Sequence, residues 1–185
     1  LKEAFLSDAG ALKNTFATLI TFSWFLAYPL SGPVGSRWVN VHGYKGTLLR
    51  GLMVMAIGLA LFFVSSWVTV QFPQAIIGSG KISLHIGFLV FLLGSFITGA
   101  SATILQVVIN PYLSACSIKG TQSIQRLAIG GTANSIGTTV APYFVTGIVF
   151  GGLAAEEDSI NQIMIPFLAL TAVILILLGL LSRFS

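Results

Sequence analysis

Five apolar runs, each near the length a helix needs to cross a lipid bilayer, leave this chain few ways to fold. They cover about residues 12–34, 47–70, 84–113, 127–153 and 160–182, and roughly 20 residues of helix span the hydrocarbon layer. In lipid a backbone must satisfy its own polar groups, so spans of this length fold as helices. Composition agrees. The 185 residues are 55% hydrophobic and 8% charged, against about 25% charged in an ordinary soluble domain. So few charges cannot cover a water-facing surface. The expected class is all-α, a polytopic membrane helix bundle, with residues 1–185 forming a single transmembrane domain of five spans.

The formal charge of +4 comes from nine Lys and Arg against five Asp and Glu. Its placement matters more than its size. The gap between the first two runs holds Arg37, Lys45 and Arg50 and no acid. The gap between the third and fourth holds Lys119 and Arg126, and Arg183 follows the fifth. The other two gaps hold Lys81 in one and Glu156, Glu157 and Asp158 in the other. Basic residues favour the cytoplasmic side, which predicts the N-terminus outside and the C-terminus inside. The same scatter argues against a nucleic-acid partner, which needs a basic face. Cys116 is the only cysteine, and His42 and His85 lie far apart in expected loops, so neither a disulfide framework nor a metal site is expected. The first 11 residues are mixed and polar and lack the pattern of a signal peptide. An odd number of spans with the N-terminus outside is then explained by a missing preceding helix.

The third and fourth runs carry polar groups at helical spacing. Gly99, Thr103, Gln106 and Asn110 are separated by four, three and four residues and share one face. A buried amide in hydrocarbon costs several kcal/mol unless it finds a partner, so this stripe is expected to face protein or a water-filled cavity. Pro111 removes one backbone donor and crowds the carbonyl of Val107, which predicts a kink near Gln106–Asn110. In the fourth run, Asn134 and Thr138 lie beside a line of small residues, Ala133, Gly137 and Ala141, that would allow close helix packing. The structural alternative is that such groups act only as interhelical hydrogen bonds. For Ser135, Thr139 and Thr146 that is the better reading, because hydroxyls bond their own helix. Amides on adjacent helices offer donor and acceptor together, which suits a polyhydroxylated ligand.

The central parts of the spans contain no Asp, Glu, Lys or Arg, which disfavours a charge-lined ion channel or a proton relay within these helices. The glycine-rich stretch GGTANSIG, Gly130–Gly137, lies inside an apolar run with no preceding strand, so it does not read as a nucleotide loop. No acid, base, nucleophile or metal ligand within the spans suggests an enzyme. No cofactor is expected.

The stretch LQVVINPYLSA, followed after a short basic gap by RLAIGGTANSIGTTVAPYF, resembles the fucose:proton symporter family of the major facilitator superfamily, in particular its glucose/galactose transporter branch. LKEAF at Leu1–Phe5 resembles the stretch before that family's second helix, and GYKG at Gly43–Gly46 the end of its loop between helices two and three. The resemblance covers essentially the whole chain. It implies that the five spans are helices two to six of a twelve-helix carrier, an N-terminal half lacking its first helix. It further implies alternating access around a midplane site, with two bundles rocking about it. Gln106 and Asn134 would hydrogen-bond sugar hydroxyls, Asn110 with Pro111 would shape the kink, and Thr103 and Thr138 would be weaker lining residues.

Three departures from that pattern stand out. Gln106 occupies a position where fucose symporters carry a titratable carboxylate, although the sugar transporter branch resembles this chain in having Gln. The family's coupling acid in helix one has no counterpart. Gly35 and Gly43 are spaced one residue too far apart with no Asp between them, and Gly131 stands where Gln is often seen. Trp24 and Phe25 could stack on a sugar face, but packing suits them better. The expected partners are a monosaccharide such as glucose, galactose or fucose, the lipid bilayer, a proton or sodium ion, and the missing carrier half in cis or trans. The expected location is a bacterial cytoplasmic (inner) membrane. The other reading is a non-transporting truncated membrane protein that acts as a partner-binding half-carrier.

Overall fold

The computed structural model describes residues 13–77, 84–144 and 159–183, and these are nearly all helical. Helix α1 is Lys13–Gln71, α2 is Ile86–Ala115, α3 is Ser123–Phe144 and α4 is Ser159–Arg183. Between α1 and α2, Ile76–Ile77 (β1) and Leu84–His85 (β2) pair antiparallel, Ile76 opposite His85. Among the described residues, three helices are long and apolar enough to cross a membrane: 14–71, 86–115 and 166–183. Helix α3 is not among them. Its described part is rich in Gly, Thr and Ser, and the apolar stretch 145–153 expected to complete that span lies outside the described residues.

At 1.5 Å per residue, a straight helix the length of α1 would reach nearly 90 Å, about three times the hydrocarbon thickness. It does not stay straight. Gly43 has φ 69° and ψ 179°, outside the helical region, and divides α1 into two limbs. Only glycine takes that backbone conformation without a Cβ penalty. The limbs fold back, because Phe16, Ala17 and Ile20 of the first and Met55, Leu59 and Phe62 of the second meet in one core cluster. A loop over about 35–46 was the expectation. The correction is that helix persists through 35–42, and Gly35 is buried against Ile104 of α2 rather than sitting in a loop. His42 is likewise helical, and His85 is the N-cap of α2.

Helix α2 lies between the limbs. Ile20 meets Ser95 and Gly35 meets Ile104, so α2 runs parallel to the first limb. Gly51 meets Ser101 and Ser65 meets Gly87, so it runs antiparallel to the second. Four serine hydroxyls join these helices. Ser95 donates to the Ile20 carbonyl at 3.0 Å and Ser23 to that of Leu92 at 2.9 Å. Ser101 donates to the Gly51 carbonyl at 2.8 Å and Ser65 to that of Gly87 at 2.6 Å. Such bonds contribute about 0.6 kcal/mol each on average in membrane proteins, beside the packing of small residues. The packing is close: a Cβ on Gly99 would run into the Trp24 carbonyl, and one on Gly58 into Thr98. Aromatic rings fill the far end, with Phe62 at 4.5 Å from Phe91 and 5.0 Å from Phe167 of α4.

Prolines are tolerated inside these helices. Pro29, Pro33, Pro111, Pro142 and Pro166 all lie within helical segments, as membrane helices permit when neighbours or side chains take up the freed carbonyls. Helix α2 continues through Pro111 as one element to Ala115.

Apart from Lys13 at the start of α1, the described cations gather at one end. Tyr44, Lys45, Tyr112 and Leu181 line a common cavity, which brings the Gly43 elbow, the end of α2 and the end of α4 together. Arg37, Arg50, Lys119, Arg126 and Arg183 lie on or beside those same segments. All five Asp and Glu fall outside the described residues, so no carboxylate side chain is present among them.

Candidate functional site

Helix α3 returns antiparallel along the last third of α2. The turn between them holds Gly120 at φ 83°, and Gln125 Oε1 accepts from the Gln122 N–H at 2.9 Å at the start of α3. Arg126 fastens the two helices. Its Nε donates to the Leu113 carbonyl at 2.8 Å and Nη2 to that of Ser114 at 3.0 Å. Its Nη1 donates to the Thr121 carbonyl at 2.9 Å. The Leu113 and Ser114 carbonyls belong to the last turn of α2, where no helical donor remains and the helix dipole favours a cation. The sequence places Arg126 in a basic gap that sets orientation; its bonds also make it a latch between the two helices.

Between the paired helices lies a cleft of about 370 Å³, lined by Gln106, Ile109, Asn110 and Leu113 of α2 and by Leu127, Gly130, Gly131 and Asn134 of α3. Its volume falls in the range of about 300–1,000 Å³ common for small-molecule sites. Three amides face it and no charged side chain lines it. Each amide carries both an acceptor oxygen and an NH₂ donor. The arrangement can therefore hold a neutral ligand with several hydroxyls, and it offers no group able to move a proton.

The polar stripe on α2 divides. Gly99 and Thr103 are buried in the seam, with the Thr103 hydroxyl donating to the Gly99 carbonyl at 3.0 Å, while Gln106 and Asn110 are exposed in the cleft. Thr103 is thus placed in the packing and not along the cleft. Thr138 lies beyond the cleft's lining and donates to the Ser135 carbonyl at 3.0 Å. Ser135 and Thr139 bond their own helix, as expected for them; Thr146 is outside the described residues. Among the described residues, the small-residue line on α3 is not part of the seam with α2: nothing approaches Gly137, and Ala133 and Ala141 are exposed, whereas Gly130 meets α2 against Leu113. The sequence reading passed over Gly130 and Gly131 as lining residues. Their signal was the pair of missing side chains one turn before Asn134, which leaves the cleft open. Trp24 packs on Phe25 and Tyr28, with centroids 5.3 and 5.2 Å away, and none of the three lines the cleft.

The chain as a whole has relatives among known proteins. Over 169 residues the chain is 30% identical to a glucose/galactose transporter of Brucella abortus, an alignment covering 89% of this chain and 36% of that protein. It is 28% identical over 170 residues to a Helicobacter pylori protein provisionally named a glucose/galactose transporter, covering 87% of the chain and 37% of the relative. It is 24% identical over 159 residues to the L-fucose-proton symporter of Escherichia coli, covering 86% and 32%. The chain is a homologue of these sugar transporters. As a homologue of such carriers it spans about a third of their length. No family model and no solved structure matches it. Homology to transporters fits the apolar helices of a multi-pass membrane protein.

Proposed function

We propose that this chain is the N-terminal part of a secondary active monosaccharide carrier of the major facilitator type, and that Gln106, Asn110 and Asn134 bind sugar hydroxyls. The observation that carries the proposal is the convergence of these three amides, from two adjacent helices, on one uncharged cleft. The names of the homologues support a sugar as cargo, with glucose, galactose or fucose the candidates.

In this reading the two limbs of α1, then α2, α3 and α4, make five crossings equivalent to helices two to six of a twelve-helix carrier. The elbow at Gly43 supports two crossings by α1, since each limb of about 30 residues is roughly 45 Å long. The clustered cations support placing the elbow, the α2–α3 turn and Arg183 at the cytoplasmic face of a bacterial inner membrane. Thr103 and Thr138 are secondary: one sets the seam from which the stripe emerges, the other borders the amides. Transport is cation-coupled, by proton or sodium, and the coupling group lies elsewhere in the carrier, because an amide at 106 cannot titrate.

The test is uptake of labelled glucose, galactose and fucose by transporter-deficient bacteria expressing the full-length gene product. Gln106→Ala is expected to lower uptake of one of these sugars at unchanged membrane level. Unaltered uptake kinetics in that variant would sink the assignment. A full-length product that takes up none of them, yet co-purifies with a second membrane chain, would favour the partner-binding half-carrier instead.

A further inference from the structure

We propose that His85 is a proton-operated switch at the end of the bundle away from the elbow, serving α2 when neutral and α1 when charged. The ring stands between the carbonyl end of one helix and the N–H end of the next. Its Nδ1 accepts from the Gly87 N–H at 3.0 Å, as the N-cap of α2. Its Nε2 faces the Phe72 carbonyl at 2.9 Å, just past the end of α1. A carbonyl only accepts, so Nε2 carries the proton and Nδ1 has none: the ring is neutral in this arrangement. A third group stands beside it. The Thr69 hydroxyl gives its proton to the Ser65 carbonyl at 2.8 Å, which leaves its oxygen lone pairs 3.4 Å from Nδ1.

A second proton, on Nδ1, exchanges these partners. The imidazolium cannot accept from Gly87, because two N–H groups would then face each other. It can donate to Thr69 instead, and it keeps its bond to Phe72. The helix ends bias the exchange the same way: a cation is disfavoured at the N-terminus of α2 and favoured at the C-terminus of α1. Gly87 cannot follow the ring. Its backbone already lies against Thr69, and the Ser65 hydroxyl holds its carbonyl. A charged ring turned toward Thr69 therefore leaves the first turn of α2 uncapped. Histidine ordinarily changes charge between about pH 5 and 8, and His85 is only half-buried. Lys13 starts α1 at this same end, where Phe16 meets Phe88. Lys81, Glu156, Glu157 and Asp158 lie outside the described residues. The other titratable groups on the packed elements, from Tyr28 to Arg50 on α1, Tyr112 on α2 and Arg183 on α4, lie toward the elbow. The switch does not depend on which ligand the amide cleft takes.

Hydrogen exchange of the full-length gene product in detergent, at about pH 5 and about pH 8, either side of histidine's ordinary range, tests this. Rates are expressed as protection, so that the intrinsic effect of pH on exchange drops out. In the parent, a peptide covering the first turn of α2 is expected to lose about fivefold in protection at the lower pH, the scale of one lost N-cap. The middle of α2 should keep its protection. His85→Asn, whose amide oxygen accepts at either pH, should show no such fall. Unchanged protection of the first turn in the parent would overturn the proposal before any variant is made. So would the same fall in His85→Asn, which would assign the effect to another group, or a fall spread evenly along α2.

Discussion

Arg126 reaches back across the α2–α3 turn to Leu113, its Nε donating to the Leu113 carbonyl oxygen at 2.8 Å. A second arm holds Ser114 and a third holds Thr121. One guanidinium therefore sets the spacing of the two helices that carry the amides. Arg126→Ala is expected to lower stability by about 1–3 kcal/mol, the scale of charge-assisted hydrogen bonds. Arg126→Lys should recover little of it, because an ammonium cannot copy the planar fork. Melting curves of the detergent-solubilised chain would check both; a parent-like midpoint for Arg126→Ala would count against the latch.

Gly99 on α2 and Gly131 on α3 should respond differently to substitution. Gly99→Val drives a side chain into the Trp24 carbonyl and is expected to cost about 1–3 kcal/mol, as overpacking does. Gly131 has nothing within contact of a new Cβ but lines the cleft. Gly131→Leu should fold normally and block ligand. Comparing the melting midpoint with sugar-induced stabilisation separates the two. Loss of stability in Gly131→Leu without loss of response to sugar would contradict the cleft.

Hydroxyls and amides should also part company. Thr138 spends its proton on the Ser135 carbonyl and stands outside the cleft's lining, whereas Asn134 lines it. Asn134→Ala in the full carrier should weaken sugar uptake about tenfold, the scale of one lost hydrogen bond of roughly 1.4 kcal/mol. Thr138→Ala should remain within about twofold, as expected where no ligand bond is lost. Equal effects on uptake would remove the distinction.

Gln106 can be turned into a titrating group. In Gln106→Glu the neutral acid keeps donor and acceptor, whereas the carboxylate places an unpaired charge in an uncharged cleft, and desolvation favours the neutral form. Uptake by this variant is expected to be retained at low pH and to fall as pH rises. Parent-like uptake across the whole range would show that position 106 does not face the ligand.

His85 tests the other end. Its Nδ1 accepts from the Gly87 N–H at 3.0 Å, which leaves Nε2 to donate to the Phe72 carbonyl at 2.9 Å. His85→Ala removes the N-cap of α2 and should cost about 1 kcal/mol. His85→Asn should keep part of the cap. Thermal melting would show whether the order parent, Asn, Ala holds.

Much of this architecture can be read from the residues alone. Length and apolarity locate the helices, and four-three-four spacing puts Gln106 and Asn110 on one face. Other features are hidden for physical reasons. GSRWVNVH at 35–42 has the composition of a loop, yet tertiary contact through Gly35 keeps it helical, and a single residue makes the turn. Serine in a membrane helix ordinarily bonds its own backbone, so nothing marks Ser23, Ser65, Ser95 and Ser101 as the ones that cross to a neighbour. Spacing likewise cannot say where a stripe leaves a packed seam: Thr103 and Gln106 are one turn apart, and only the position of the first limb puts one inside and the other in the cleft. Two-residue strands such as Ile76–Ile77 are too short to carry an alternating pattern.

The bend at Gly43 has a mechanical corollary. Helices joined by a long loop can drift independently, because the slack absorbs their motion. Here helical geometry resumes immediately on both sides of one glycine, and the Thr47 hydroxyl holds the Gly43 carbonyl at 2.8 Å. Any tilt of one limb is handed directly to the other, as in a crank, and through the serine bonds to the helix clasped between them. The two limbs and the helix between them are thereby coupled mechanically through Gly43 and the four serine bonds.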